Sequence, residues 1–190
     1  MGTIKCTIMG CKACKLYKNQ APLLDDRKKG DVFWIGLSAV RIDEGQWQRP
    51  LAPDTRSGGL IDLIERQHPQ IAFYKTNLVK CLPESNGKLR YPSQDEMKSC
   101  FGNLHLEFKK FSPRLAFALG GLVSGFIERM ATDSYKPNEY RSRSEKQRFF
   151  WLNNTKVHAV EHPSYILIYK RKRLDTYIKN ISTIINQHFV

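Results

Sequence analysis

A three-layer α/β/α sandwich with a mainly parallel four-stranded central sheet is the fold this sequence predicts. Three observations carry the prediction. Short runs of β-branched and aromatic residues alternate with longer stretches whose apolar residues recur at helical spacing. The order strand, loop, helix repeats along the chain, the pattern of a parallel sheet covered by helices. The 190 residues, 41% of them hydrophobic, suffice for one compact core and are too few for two. Residues 1–190 are therefore read as a single domain.

Residues 1–30 form a Lys-rich, cysteine-bearing segment with little helical periodicity, ending at the breaker DDRKKGD. Val32-Phe33-Trp34-Ile35 is a continuous apolar run closed by Gly36, the signature of a buried strand. RIDEGQWQRPLAPDTRSGG, with two prolines and a glycine pair at its end, is too broken for an element and reads as a functional loop. LIDLIERQHP then resumes helical spacing. IAFYKTNLV is the second strand and opens into the loop CLPESNGKLRYPS. SQDEMKSCFGNLHLEFKKF is a helix capped at Ser93, with Glu96 completing a capping box. RLAFALGG is the third strand and LVSGFIERM a helix. Residues 132–148 are polar, basic and aperiodic, an exposed insertion; KVHAV is the fourth strand, and a helix from about Arg173 closes the chain. Sites on such sheets lie beyond the carboxyl ends of the strands, which singles out Gly36, Asn77, Gly120 and His162.

Charge narrows the partners. The 31 Lys and Arg against 18 Asp and Glu leave +13, with a pI near 9.6. Such a balance favours a polyanion: DNA, RNA or an anionic membrane surface. No apolar run reaches the about 18 residues of a membrane span, and MGTIKCTIMGCKACK lacks the apolar core of a secretory signal. A cytoplasmic protein without membrane association is expected.

Five cysteines in a reducing compartment do not make a disulfide framework. Cys11 and Cys14 form a C-x2-C pair, and eighteen residues separate Cys81 from Cys100 across a loop and a helix start. Four thiols are the ligand count of tetrahedral zinc and of a [4Fe-4S] cubane, which spacing does not separate. The plainer reading makes Cys81 and Cys100 small buried hydrophobes. Cys6 is left over as a bystander.

CKAC near the start, WIGLSAV followed by RP and RSGG, TNLVKCLP with the later Cys100, and EHPSYIL near the end stand in an order that resembles the uracil-DNA glycosylase superfamily. Within it the match is to the iron-sulfur branches known as families 4 and 5, and it covers most of the chain. The resemblance implies a monofunctional DNA glycosylase, which flips a base out of DNA, hydrolyses its N-glycosidic bond and leaves an abasic site. It implies a [4Fe-4S] cluster on Cys11, Cys14, Cys81 and Cys100, with zinc as the alternative. It implies that Asn77, with a donor and an acceptor on one amide, reads the polar edge of the flipped base. It implies that His162 stabilises charge on the departing base as an oxyanion-hole donor does. Gly36, Leu37 and Leu51 would complete the base pocket. Apart from the resemblance, Asn77 could equally satisfy a strand-end backbone group, and His162 could cap the chain before Pro163.

The chain departs from those branches in two places. Where family 4 has Gly-Glu-Ala-Pro-Gly and family 5 Gly-Leu-Ala-Pro-Ala, this chain reads Gly36-Leu37-Ser38-Ala39-Val40. The glutamate that would orient water is absent, and Asp54 is the candidate replacement, assisted by Ser38 or backbone near Gly36. Asp54 also suits a turn after Pro53. Where family 4 has Arg-Pro-Phe, this chain places Leu51, losing stacking worth about 1–3 kcal/mol per base. Together these departures favour a modified, bulky pyrimidine of the kind found in phage DNA over plain uracil, and with it an antiviral defence role.

In the superfamily the loop after this histidine wedges the base stack from the minor groove, which makes Tyr165, Ile166 and Leu167 the wedge candidates; their alternative place is the core. Lys170, Arg171, Lys172 and Arg173 would meet phosphates. A monomer of prokaryotic or phage origin is expected. The rival expectation is an inactive iron-sulfur DNA-binding protein that has lost its carboxylate.

Overall fold

The computed structural model describes residues 4–43, 46–134 and 148–189. From the amino end, α1 (Ile4–Met9) and a 3-10 turn at Lys15–Lys18 lead into β1 (Val32–Ser38), α2 (Arg56–Glu65) and β2 (Phe73–Val79). A small hairpin of β3 (Glu84–Ser85) and β4 (Lys88–Leu89) precedes α3 (Gln94–Phe111). Then come β5 (Leu115–Leu119), α4 (Gly121–Ser134), β6 (Phe149–Leu152), β7 (Thr155–Val160), α5 (Pro163–Tyr169) and α6 (Leu174–Phe189).

The central sheet has the order β2-β1-β5-β7-β6. Its strands are parallel except β6, which runs antiparallel to β7 at the edge. The expected four strands are thus five. β6 is only four residues long and follows directly on a polar stretch, so its signal is weak in sequence; pairing across the turn at Asn153, φ 53°, supplies what its length does not.

Alternate residues of β1 point to opposite faces, the period of a strand. Val32 and Trp34 pack with Ile61 and Ile64 of α2, Ile166 of α5 and Ile181 of α6. Phe33 and Ile35 pack with Met97, Leu104 and Phe108 of α3 and with Phe126 and Ile127 of α4. Each such side chain contributes about 1.5–3 kcal/mol of transfer energy when fully buried. Both faces of the sheet are therefore covered, which closes the sandwich.

Two local features differ from the expectation. The amino segment is not devoid of helix: α1 lies against α3 and buries Ile8. The loop after β2 contains the β3–β4 hairpin, because Asn86 and Gly87 take φ values of 51° and 74°, as a two-residue type I′ turn requires. Of the expected insertion, residues 135–147 lie outside the described residues. The capping box on α3 is formed as expected: Ser93 Oγ accepts from the Glu96 N–H and Glu96 Oε2 from the Ser93 N–H.

The chain leaves β1 toward β2 on one side and leaves β5 toward β7 on the other. The crevice beyond their carboxyl ends, where the connections diverge, is the place such a sheet offers to a ligand. No helix among the described residues is long and apolar enough to cross a membrane.

Candidate active site

At that crevice the ends of β1 and β2, the loop into α2 and the start of α5 enclose a cavity of about 310 Å³. This is the small end of the range for ligand pockets, about 300–1,000 Å³. Gly36, Leu37 and Ser38 line it from β1, Leu51 from the loop, Asn77 from β2 and His162 from the start of α5. Fold topology alone brings these six together from four separate stretches.

Gly36 and Asn77 are opposite one another in the β1–β2 register. A Cβ on Gly36 would stand 2.4 Å from Asn77 Oδ1, so the glycine makes the space in which the carboxamide lies. Asn77 is 3% exposed, yet no protein group among the described residues hydrogen-bonds its side chain; its main-chain carbonyl accepts from Lys80 Nζ. A buried amide left open toward a cavity is costly unless something else fills its bonds. Leu51 closes the other side of Gly36. It holds φ at 51°, a left-handed conformation costing a non-glycine residue of order 1 kcal/mol or more.

His162 is the N-cap of α5, its Nδ1 accepting from the Ser164 N–H at 3.3 Å. Accepting at Nδ1 places the proton of the neutral ring on Nε2. Burial lowers its pKa from the ordinary histidine value, so the ring is neutral at pH 7. Gly120, with φ 90°, passes beneath it: a Cβ there would lie 3.4 Å from His162 Cβ. The cap and the imidazole donor are thus one arrangement, with one nitrogen for each.

Sequence reasoning missed two further lining groups. Ser57 of α2 and Ser164 of α5 share a hydrogen bond of 2.7 Å across the cavity wall, and the exposed Arg56 is also among the lining residues. All three stand inside the quoted motifs RSGG and HPS, but nothing in their spacing shows that two distant hydroxyls meet.

Asp54 is placed elsewhere. Thr55 donates to the Ala52 carbonyl through both its N–H and its Oγ1, forming a turn with Pro53 and Asp54 at its exposed apex. Asp54 accepts from Gln48 Nε2 at 3.1 and 3.2 Å and does not line the cavity. The turn preference of Pro-Asp decides its position. Among the described residues no carboxylate lines the cavity.

The segment after His162 is a helix, not a loop, and this corrects two of the three wedge candidates. Helical geometry sends Ile166 into the core at 0% exposure and leaves Leu167 packed against it. Tyr165 remains outward, joined by Ile168 and by Tyr169, 71% exposed; the Tyr165 and Tyr169 rings stand 5.5 Å apart at i, i+4. Lys170, Arg171, Lys172 and Arg173 follow, all exposed. Arg173 pairs with Glu161 at 3.2 Å.

The four thiols come from four places in the chain: Cys11 after α1, Cys14 at the cap of the 3-10 turn, Cys81 after β2 and Cys100 on α3. Asn103 Nδ2 lies 3.3 Å from Cys11 Sγ and 3.7 Å from Cys100 Sγ. Cys14 and Cys81 each lie near enough to Cys11 and Cys100 for their charges to interact. Burial is the main cause that pushes the Cys81 thiol up to about 12, and it raises Cys14 as well. Among the described residues no three His, Cys, Asp or Glu side chains converge as they would around one ion. Cys6 lies exposed on α1.

A family model described as the uracil DNA glycosylase superfamily matches residues 19–184. No curated protein matches the sequence. Among solved structures, Pedobacter heparinus SMUG2 superposes with a TM-score of 0.52 at 16% identity, over 84% of this chain and 76% of that one. At that identity the likeness speaks to the fold.

Proposed function

Because the chain belongs to the uracil DNA glycosylase superfamily, we propose that it is a monofunctional DNA glycosylase of the iron-sulfur branches. One observation carries the reading: an unpartnered Asn77 carboxamide and a neutral His162 imidazole share one base-sized cavity.

The target nucleotide is flipped from the stack into the cavity, where the Asn77 amide pairs with the polar edge of a pyrimidine. The C1′–N bond breaks, its electrons leave with the base, and the sugar takes on oxocarbenium character. His162 Nε2–H donates to a carbonyl oxygen of the base as charge grows there. Removal of one such donor costs about 10²–10³ in kcat. Water adds to C1′ and releases a proton to the departing base or to solvent. With no carboxylate lining the cavity among the described residues, the Ser38 hydroxyl is assigned to hold this water; an oxocarbenium-like centre asks little nucleophilic help of it. Asp54→Asn is accordingly expected to retain activity.

The substrate we assign is uracil or a modified pyrimidine of phage type. Leu51 in place of an aromatic platform supports the modified base, and a defence role would accompany it. Tyr165 is the remaining wedge candidate, and Lys170, Arg171, Lys172 and Arg173 would meet DNA phosphates.

Cys11, Cys14, Cys81 and Cys100 would hold a [4Fe-4S] cluster. Cys14 and Cys81 each lie near enough to Cys11 and Cys100 to interact with them, and Asn103 supplies a donor to two of the sulfurs. When bound, the cluster would supply a structural anchor, its iron offsetting the charge of the thiolates that hold it.

That no carboxylate among the described residues lines the cavity favours a second reading, an inactive DNA-binding protein of the same fold. Oligonucleotides bearing uracil, hydroxymethylcytosine or its glucosylated form, incubated with the protein and then treated with alkali, separate the two. Strand cleavage at one of these bases is expected; binding to all with cleavage of none supports the inactive reading.

A further inference from the structure

A polar stripe on α3 faces β2 without reaching the cavity. Cys100, Asn103 and Glu107 occupy positions i, i+3 and i+7, one face of the helix, and all three are buried. Glu107 Oε1 accepts from Tyr74 OH at 3.0 Å, and Oε2 from Thr76 Oγ1 at 2.8 Å and Lys80 Nζ at 2.6 Å.

Lys80 is the centre of this network and is 0% exposed. Its three ammonium protons meet three acceptors: Glu107, Thr76 Oγ1 at 2.5 Å and the Asn77 carbonyl at 2.6 Å. Its main chain is committed as well. The N–H donates to Cys100 Sγ at 3.3 Å, and the carbonyl accepts from the N–H of Leu23, a cavity-lining residue, at 2.8 Å.

A buried ion pair gains little stability, since desolvation of both charges offsets their attraction. A fully satisfied network in a low-dielectric interior does rigidify what it touches. Here it touches the main chain of the candidate base reader on one side and a thiol on the other.

We propose that Lys80 is a positioning residue that couples the four-thiol site to base recognition, so that occupancy of that site sets how firmly Asn77 presents its carboxamide to the cavity. Ligation would fix the Cys100 sulfur in place opposite the Lys80 N–H, 3.3 Å away. The same residue then holds the Asn77 carbonyl more rigidly. The identity of the ligand rests on the glycosylase reading; the geometry does not.

The test is hydrogen exchange over residues 73–81 in the protein as purified, after chelation, and after reconstitution with ferrous iron and sulfide. It is run on wild type and on Lys80→Met/Glu107→Gln, which removes both charges and strands neither. Wild-type exchange should rise about tenfold on chelation and fall on reconstitution; the double variant should exchange fast in every state. In turnover the variant should raise KM about tenfold while kcat stays within about threefold, the mark of lost positioning in binding. A wild-type protein that carries no metal, or whose exchange ignores occupancy, overturns the coupling, and so does a double variant with wild-type exchange and KM. The wild-type arm needs neither the variant nor catalysis. A protein that excises no base therefore defeats the glycosylase reading, while exchange alone still decides the coupling.

Discussion

Gly36 is small because Asn77 lies across it. Gly36→Ala would set a methyl 2.4 Å from Asn77 Oδ1 and force the carboxamide aside; misplacement by about 1 Å can cost 10²-fold in rate. We expect a loss of that order in kcat/KM with little change in melting temperature, since the strand pairing is untouched. His158 yields a prediction of another kind. It is 3% exposed, neither ring nitrogen has a hydrogen-bond partner among the described residues, and its pKa is lowered to about 4, first by burial and then by Lys156 and His188. The unfolded chain takes up this proton near pH 6.5 and the folded chain does not, so stability is full above about pH 6.5 and falls as pH drops toward 4. The difference corresponds to about 3 kcal/mol. Urea denaturation at pH 7 and pH 4.5 should show a smaller loss for His158→Phe than for wild type. At this scale the placement of Asn77 and His162 at the crevice was legible because their neighbours in sequence form motifs. Asp54 was not, because a carboxylate's direction depends on the hydrogen bonds of Thr55. The Ser57–Ser164 contact joins residues 107 apart in the chain, a distance no local pattern encodes.

Among the elements, α5 carries the surface chemistry. Its helical twist, unseen in the sequence PSYIL, divides Tyr165 and Tyr169 from Ile166 and turns an assumed three-residue wedge into an aromatic pair with one buried anchor. Lys170, Arg171 and Lys172 form no ion pair among the described residues, whereas Arg173 is engaged by Glu161. Replacing those three by alanine should reduce the slope of log K against log salt by about 2–3, near 0.9 per lost phosphate contact on duplex DNA. Filter binding across a salt series reads this directly; an unchanged slope would remove the basic run from the interface. The strands were legible where apolar runs are long, as in Val32–Ile35. β6 and the β3–β4 hairpin were not, because two to four residues carry too little pattern and take their conformation from a pairing partner.

The whole molecule is a two-sided device built on one sheet. The face of β2 bearing Asn77 opens to the cavity, the face bearing Thr76 meets Glu107 on α3, and the chain just past the strand delivers Cys81 to the thiol group. The alternation of strand and helix made this architecture readable in advance, since burying both faces of a parallel sheet leaves few other arrangements. The chemistry of the site was less readable, since no motif in the sequence fixes which group would hold the water. The central claim is that the cavity between Asn77 and His162 excises a base, and the most direct test is end-point and single-turnover cleavage of the base panel by wild type and His162→Ala. The account predicts alkali-labile abasic sites at one pyrimidine, formed about 10²–10³-fold more slowly by the variant. Oligonucleotides that stay intact with wild-type protein that binds them, or equal rates for the two proteins, would contradict it.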